Sequence, residues 1–398
     1  MLQYKHTVRA CFVGYVVQAI VNNFAPLLFL TFQAQYGIPL SQITVLITVN
    51  FALQLTVDFV SAFFIDKIGY RVSIVAAHVF AAAGLVLMTV LPEIMSSPFA
   101  GLLISVMCYA VGGGLLEVLV SPIVEACPTD NKEQAMSLLH SFYCWGSVAV
   151  VGLSTLFFAL FGTRSWRYLA LMWAAVPLAN AFVFSKVPIA PLIEDGEKGL
   201  SIKELFKNKM FWIFMLLMLC SGASEQAVSQ WASTFAERGL GVSKTIGDLT
   251  GPMLFSVLMG LSRLIYGKFG GRIKLDSIML GSGVLCILSY LIITLTNSPV
   301  LGLCGVALCG LSVGIMWPGT FSKASASIKG GGTAMFALLA LCGDLGCSGG
   351  PTFAGMMASR FDDNLKIGIL CAIVFPAVLS LIVLIFDFIM PKLKTNRK

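Results

Sequence analysis

The hexapeptide DKIGYR at residues 66–71 returns as GKFGGR at 267–272, with Lys, Gly and Arg in the same relative places and an offset of 201 residues. One such hexapeptide carries little weight. Its recurrence in equivalent connections of one chain marks an internal duplication, and duplication decides architecture. The segments between the copies show what is duplicated. They are apolar runs.

The chain has 398 residues, 58% of them hydrophobic and 11% charged, with a mean hydropathy of +0.90. That is more apolar side chain than a soluble core absorbs and less charge than a soluble surface needs. A helix crosses the hydrocarbon with about 20 mostly apolar residues. Runs of that length lie near 10–34, 42–64, 72–91, 98–123, 134–161, 166–187, 210–235, 245–266, 277–295, 299–322, 332–358 and 367–390. No barrel-like alternation of apolar and polar residues occurs. An even number of spans puts both termini on one side. Lys and Arg gather in the termini and even-numbered connections (Lys67, Arg71, Lys132, Lys203, Lys207, Lys268, Arg272, Lys323, Lys398), whereas Arg164, Arg167, Arg238, Lys244, Arg360 and Lys366 lie opposite. Both termini are therefore expected in the cytoplasm. Topology accounts for the net charge of +7 without a nucleic-acid partner. The first apolar run is too long for a cleavable signal and lacks a small-residue cleavage site.

Other chemistries find little support. Most of the eleven cysteines fall inside apolar spans and form no C-x-x-C, so they read as small hydrophobes. The three histidines pair with no cysteine, and Gly330-Gly331-Gly332 lacks the strand and Lys-Ser/Thr of a phosphate loop. No nucleophile, base and oxyanion donor converge, so an enzyme is not expected. The longest polar interruption, PIAPLIEDGEKGLSIKELFKNKM at 188–210, separates six spans from six. The expected domains are 1–187, a cytoplasmic linker at 188–209, and 210–398. Ser201 and Glu204 have capping-box spacing, which predicts a short amphipathic helix within the linker.

With this organisation the chain resembles the major facilitator superfamily, whose signature after the second helix reads G-x-x-x-D-R/K-x-G-R/K. Asp66, Lys67, Gly69 and Arg71 match; Ala62 replaces the leading glycine. The resemblance implies an all-α membrane protein of twelve transmembrane helices in two pseudo-symmetric six-helix bundles, the major facilitator fold. It also implies that helices 1, 4, 7 and 10 line a cavity, that 2, 5, 8 and 11 meet between the bundles, and that 3, 6, 9 and 12 face lipid. Asp66, Lys67 and Arg71 then read either as an electrostatic latch or as a positively charged turn that fixes topology.

Buried acids follow that division. Glu117 falls on span 4, Glu225 on span 7, Asp344 on span 11 and Asp58 on span 2. An ionised acid near the bilayer centre costs between about 2.5 and more than 10 kcal/mol. Glu117 thus reads as a proton carrier or as a partner for a polar solute, with a hydrogen bond to a neighbouring helix as the alternative. Asn22, Asn23 and Phe24 map onto Ala223, Ser224 and Glu225 by the 201-residue offset, and Gln18 with Asn22, Glu225 with Ser229, and Gln226 with Gln230 share helix faces at i, i+4. Trp317-Pro318 maps to Glu117 and predicts a flat apolar ring at a helix break. The expected substrate-binding set is Gln18, Asn22, Asn23, Glu117, Glu225, Gln226, Gln230 and Trp317, with Glu117 and Glu225 coupling protons. Asp66, Lys67, Arg71, Tyr143, Arg263 and Asp344 are the gating candidates. Arg263 is placed at a helix end, and Asp58 braces the signature loop.

Four further segments, GGGLLEV at 112–118, LLHSFYCWGSVAVVG at 138–152, the NN-x-x-x-LL run at 22–28 with F-x-A at 32–34, and E-x-x-x-S-x-W-x-x-T-F at 225–235, resemble the fucose permease branch of sugar:proton symporters. The resemblance implies a proton and sugar site at Glu117. It also implies a second acid on helix 1, where this chain has Pro26. The expected function is secondary active transport of a small polar solute, a monosaccharide first, by alternating access with proton symport. A proton-driven multidrug or metabolite exporter and a sodium-coupled or uncoupled sugar carrier are the alternatives. The expected setting is the inner membrane, as a monomer, with lipid around it and no cofactor beyond a proton or sodium as coupling ion.

Overall fold

The computed structural model describes residues 3–190, 199–232, 235–236, 241, 249–270, 273–362 and 364–385. Long helices account for nearly all of them. They are α1 (Tyr4–Asn23), α2 (Leu40–Ile68), α3 (Tyr70–Ile94), α4 (Pro98–Ala126), α5 (Lys132–Phe161), α6 (Trp166–Lys186), α7 (Lys209–Ser229), α8 (Leu254–Phe269), α9 (Leu275–Leu295), α10 (Pro299–Ser327), α11 (Gly332–Arg360) and α12 (Leu365–Val383). Eleven are long and apolar enough to cross a membrane by length and composition. The remaining one, α8, has 16 described residues and enters through a π-helical turn, Leu249–Met253; the residues before that turn lie outside the described set. The predicted linker helix is the short segment Ile202–Lys207.

The duplication persists in the helix boundaries. Adding 201 to Pro98–Ala126 of α4 gives Pro299–Ser327 of α10, and adding it to the end of α2 at Ile68 gives the end of α8 at Phe269. Gly69 ends α2 at φ +92°, a conformation open to glycine and strained for other residues. The expected twelve-helix fold in two pseudo-equivalent halves is the fold observed.

Two compact units can be separated. The first comprises Met1–Asp130, Phe142–Ile202 and Gly330–Leu338; the second comprises Asn131–Ser141, Lys203–Lys329 and Leu339–Lys398. The division follows the sequence halves except that the first turns of α5 and α11 each pack with the other half.

In the first unit α4 is central, packing on α1, α2 and α3, while α6 closes against α3. One cluster of buried polar groups there pairs across helices, as a dry interior favours. Asn180 of α6 donates Nδ2 to the Ala10 carbonyl at 3.0 Å and lies 2.8 Å from His78 Nε2, while His78 Nδ1 meets the Ile74 carbonyl at 2.7 Å. Three helices are tied at one point. Outward faces carry exposed apolar side chains such as Phe59, Phe63, Val72, Tyr168 and Phe182, the inverse of a soluble protein's surface.

In the second unit α10 packs on α7, α8 and α9, and α12 on α7 and α9. The predicted break in α10 comes one turn before Pro318. The helix stops at Val313 and restarts at Met316. The reason is steric: a proline ring collides with the carbonyl four residues earlier and offers no N–H to it, and here that carbonyl belongs to Gly314.

Candidate functional site

Within the first unit, α1 ends at Asn23 and passes through a 3₁₀ turn, Ala25–Leu28, with Pro26 in its first positions. Polar side chains collect below that break. Gln18 of α1 donates Nε2 to Glu117 Oε2 at 2.7 Å. One turn on, Asn22 Oδ1 accepts from Gln54 Nε2 of α2 at 2.9 Å. One turn from Gln54 on α2, Asp58 brings a carboxylate oxygen within 4.8 Å of one of Glu117. Gln18, Asn22, Gln54, Asp58 and Glu117 therefore form a ring across α1, α2 and α4.

Glycine allows the ring to close. A Cβ on Gly114 would lie 2.9 Å from Val57 Cβ and 3.1 Å from the Gln54 carbonyl, so α2 and α4 meet here at backbone distance. Gly114 stands three residues before Glu117, and Val57 is next to Asp58. The glycines in front of Glu117 thus set the separation of the two acids. Asn23 turns the other way, donating to the Ala19 carbonyl at 2.9 Å and to Ser147 Oγ of α5 at 3.1 Å. Tyr143 lies edge-on to Tyr15, whose hydroxyl is 3.0 Å from Ser121 Oγ, one turn along α4 from Glu117.

A different arrangement occupies the second unit. Glu225 pairs with Arg263 at 3.4 Å and accepts from Gln226 Nε2 at 3.2 Å; Gln230 donates to Gln226 at 3.1 Å. Arg263 is 5% exposed and stands six residues inside the end of α8, not at the terminus expected from sequence. Its Nε donates to the Gly314 carbonyl at 2.8 Å and its Nη1 to the His140 carbonyl at 3.3 Å, while its own carbonyl accepts from Ser137 Oγ at 2.8 Å. Glu225 is thus half of an ion pair. Trp317 is 8% exposed, edge-on to Phe321, and pressed against Gly343, where any added Cβ would overlap the indole. Asp344, the next residue on α11, is half-buried.

The signature residues serve two helix ends. Arg71 donates to the carbonyls of Phe184 at 2.8 Å and Val187 at 2.9 Å, capping the end of α6, where unpaired carbonyls favour a cation. Asp66 accepts from Thr333 Oγ1 at 2.6 Å in the first turn of α11, and Tyr70 bonds the same hydroxyl. Lys67 lies over the Phe64 ring. In the second unit the corresponding junction is Tyr266 donating to Glu133 at 3.0 Å.

Sequence reasoning missed Gln54 as a site residue and gave Asp58 a different role. The available signal was their i, i+4 spacing on span 2, matching that of Gln18 and Asn22 on span 1.

Comparison with known proteins gives the same fold. A family model described as Major Facilitator Superfamily matches residues 10–351. The fucose:proton symporter of E. coli, in the crystal structure of a substituted variant, superposes with TM-score 0.83 at 15% identity, covering 96% of this chain and 98% of that one. A proton:xylose symporter bound to 6-bromo-6-deoxy-D-glucose gives 0.80 at 11% identity, covering 97% and 96%. The human organic anion transporter MFSD10 gives 0.73 at 15% identity, covering 96% and 100%. No curated protein is similar enough in sequence to count as a relative. This is a membrane-spanning transporter. The chain belongs to the Major Facilitator Superfamily.

Proposed function

We propose that the protein moves a small polar solute, a monosaccharide first, across the cytoplasmic membrane by alternating access, with a coupling ion drawn in at Glu117 and both termini in the cytoplasm. The observation carrying this reading is the ring of Gln18, Asn22, Gln54, Asp58 and Glu117 below the break in α1. Amides and carboxylates at hydrogen-bonding distance from one another suit hydroxyl groups, which both donate and accept. Two of the structural neighbours are sugar:proton symporters by name, which supports the same class.

The sequence alone gives Glu225 a share of the coupling role. Its pairing with Arg263 favours a structural part instead, because a buried pair that loses one partner leaves a costly lone charge. An organic anion fits less well. Arg263, the cation that meets Glu225 of α7, is already committed to that acid and two carbonyls. Uptake of labelled hexoses into proteoliposomes, with and without an ion gradient, tests the proposal: saturable hexose entry supports it, and entry of organic anions or drugs without hexoses overturns it.

A further inference from the structure

We infer that Pro26 supplies a solute-binding acceptor by releasing the main-chain carbonyl of Asn23, which takes a hydrogen bond from a solute hydroxyl. The inference rests on the transport reading above and names one group that recognises the solute.

A carbonyl inside a helix accepts from the N–H four residues on, or three residues on in a tighter turn. For Asn23 those donors are Leu27 and Pro26. Leu27 N donates instead to the Phe24 carbonyl at 3.1 Å, and proline has no N–H. Among the described residues no side chain takes their place. The Asn23 amide group adds a second acceptor and no spare donor. Its Nδ2 is used by the Ala19 carbonyl at 2.9 Å and by Ser147 Oγ at 3.1 Å, which leaves Oδ1.

This carbonyl lies within the apolar span Tyr4–Leu28, and the helix resumes at Phe29 and runs on to Tyr36. At such depth a carbonyl without a helical partner is tolerated where protein buries it or where it lines a water-filled space, and not against lipid. A helical carbonyl is aimed along the axis at the next turn, here Pro26 and Leu27. Pro26 is exposed, and Leu27 and Asn23 are only half-buried, so burial does not explain it. A wet space does. The break is also held in place from both sides. Beyond it, Tyr36 donates to Glu93 Oε1 of α3 at 2.8 Å, and Trp166 Nε1 of α6 donates to Gln35 Oε1 at 3.0 Å. Before it, Asn180 of α6 bonds the Ala10 carbonyl of α1. An acceptor fixed in this way needs little ordering when a solute arrives. Two acceptors without a donor select a group that donates, as a hydroxyl does and fluorine in its place does not.

Competition against counterflow of labelled hexose tests this, with D-glucose and D-galactose analogues in which one hydroxyl is replaced by hydrogen or by fluorine. At one hydroxyl position the deoxy and the fluoro analogue should both compete about two- to tenfold less well than the parent sugar, the worth of one neutral hydrogen bond. Pro26→Ala restores the missing N–H and lets the helix close on the Asn23 carbonyl, so it should abolish that penalty and keep the penalties at other positions. Pro177→Ala, which removes a helix proline from α6, should keep the whole pattern. If Pro26→Ala elutes as aggregate, Pro26→Gly restores the same N–H and replaces it. Penalties in the residue 26 variant equal to those of the unmodified protein overturn the proposal. So does a fluoro analogue that competes as well as the parent sugar at every position where the deoxy analogue fails, because the protein then donates there. Counterflow with an analogue pattern unchanged by the substitution removes this acceptor alone; no hexose counterflow by the unmodified protein removes the sugar reading itself.

Discussion

Arg263 donates its Nε to the carbonyl of Gly314 at 2.8 Å, and that carbonyl is the one Pro318 leaves without a helical partner. A proline in the sequence of α10 thus creates an acceptor that an arginine on α8 fills, and the same guanidinium holds Glu225 of α7. One side chain joins three helices. Arg263→Ala should therefore lower stability by about 3–5 kcal/mol, the loss expected on breaking a buried pair. In a Pro318→Ala background, where residue 318 regains its N–H, the same substitution should cost less, with a coupling of about 0.5–3 kcal/mol. Detergent-solubilised thermal unfolding of the two single variants and the double variant measures it.

The backbone contact at Gly114 makes a steric prediction. Gly114→Val should push α2 from α4, cost about 1–3 kcal/mol and reduce transport, since Asp58 and Glu117 would move apart. Gly152→Ala meets no atom within 4 Å and is the matched control, expected to leave both stability and uptake unchanged. Parallel Tm and initial-rate measurements check the pair.

Asn180 offers a test of the structural tie among α1, α3 and α6. Asn180→Leu removes the second donor to the Ala10 carbonyl, which keeps its helical bond, and the partner of His78 Nε2. The expected loss is about 1 kcal/mol, in line with interhelical hydrogen bonds in membranes, with unchanged substrate affinity. Chemical denaturation and a counterflow KM separate the two effects.

Arg71 caps α6 through two carbonyls, so Arg71→Gln should destabilise the protein by about 1.5–3 kcal/mol, the range for hydrogen bonds to a charged group. Thr333→Val should act differently, removing the hydroxyl shared by Asp66 and Tyr70 at the start of α11. Its expected effect is on the maximal transport rate, with little change in Tm. Initial rates for both variants check this.

The sequence carried the architecture well because duplication and apolar length are local signals. The 201-residue offset read from DKIGYR and GKFGGR carries the observed limits of α4 onto those of α10 to the residue, although the apolar runs alone end both spans a few residues early. Site chemistry was legible only in part. Glu117 stood out because a charge among apolar neighbours is visible in one dimension. Its proximity to Asp58, 59 positions earlier, depends on how Gly114 lets two helices approach, which no spacing rule reports. Arg263 is hard to place for a related reason. Its position inside α8 is hidden because the apolar run finishes near it, and its partners, Gly314, His140 and Glu225, come from three separate stretches.

The most direct test replaces Glu117 with Gln in reconstituted proteoliposomes and measures hexose movement in two modes. Accumulation against a gradient should fall to the level set by simple equilibration, while exchange of labelled for unlabelled sugar continues. Accumulation at the unmodified protein's level would contradict the assignment of Glu117 to the coupling site.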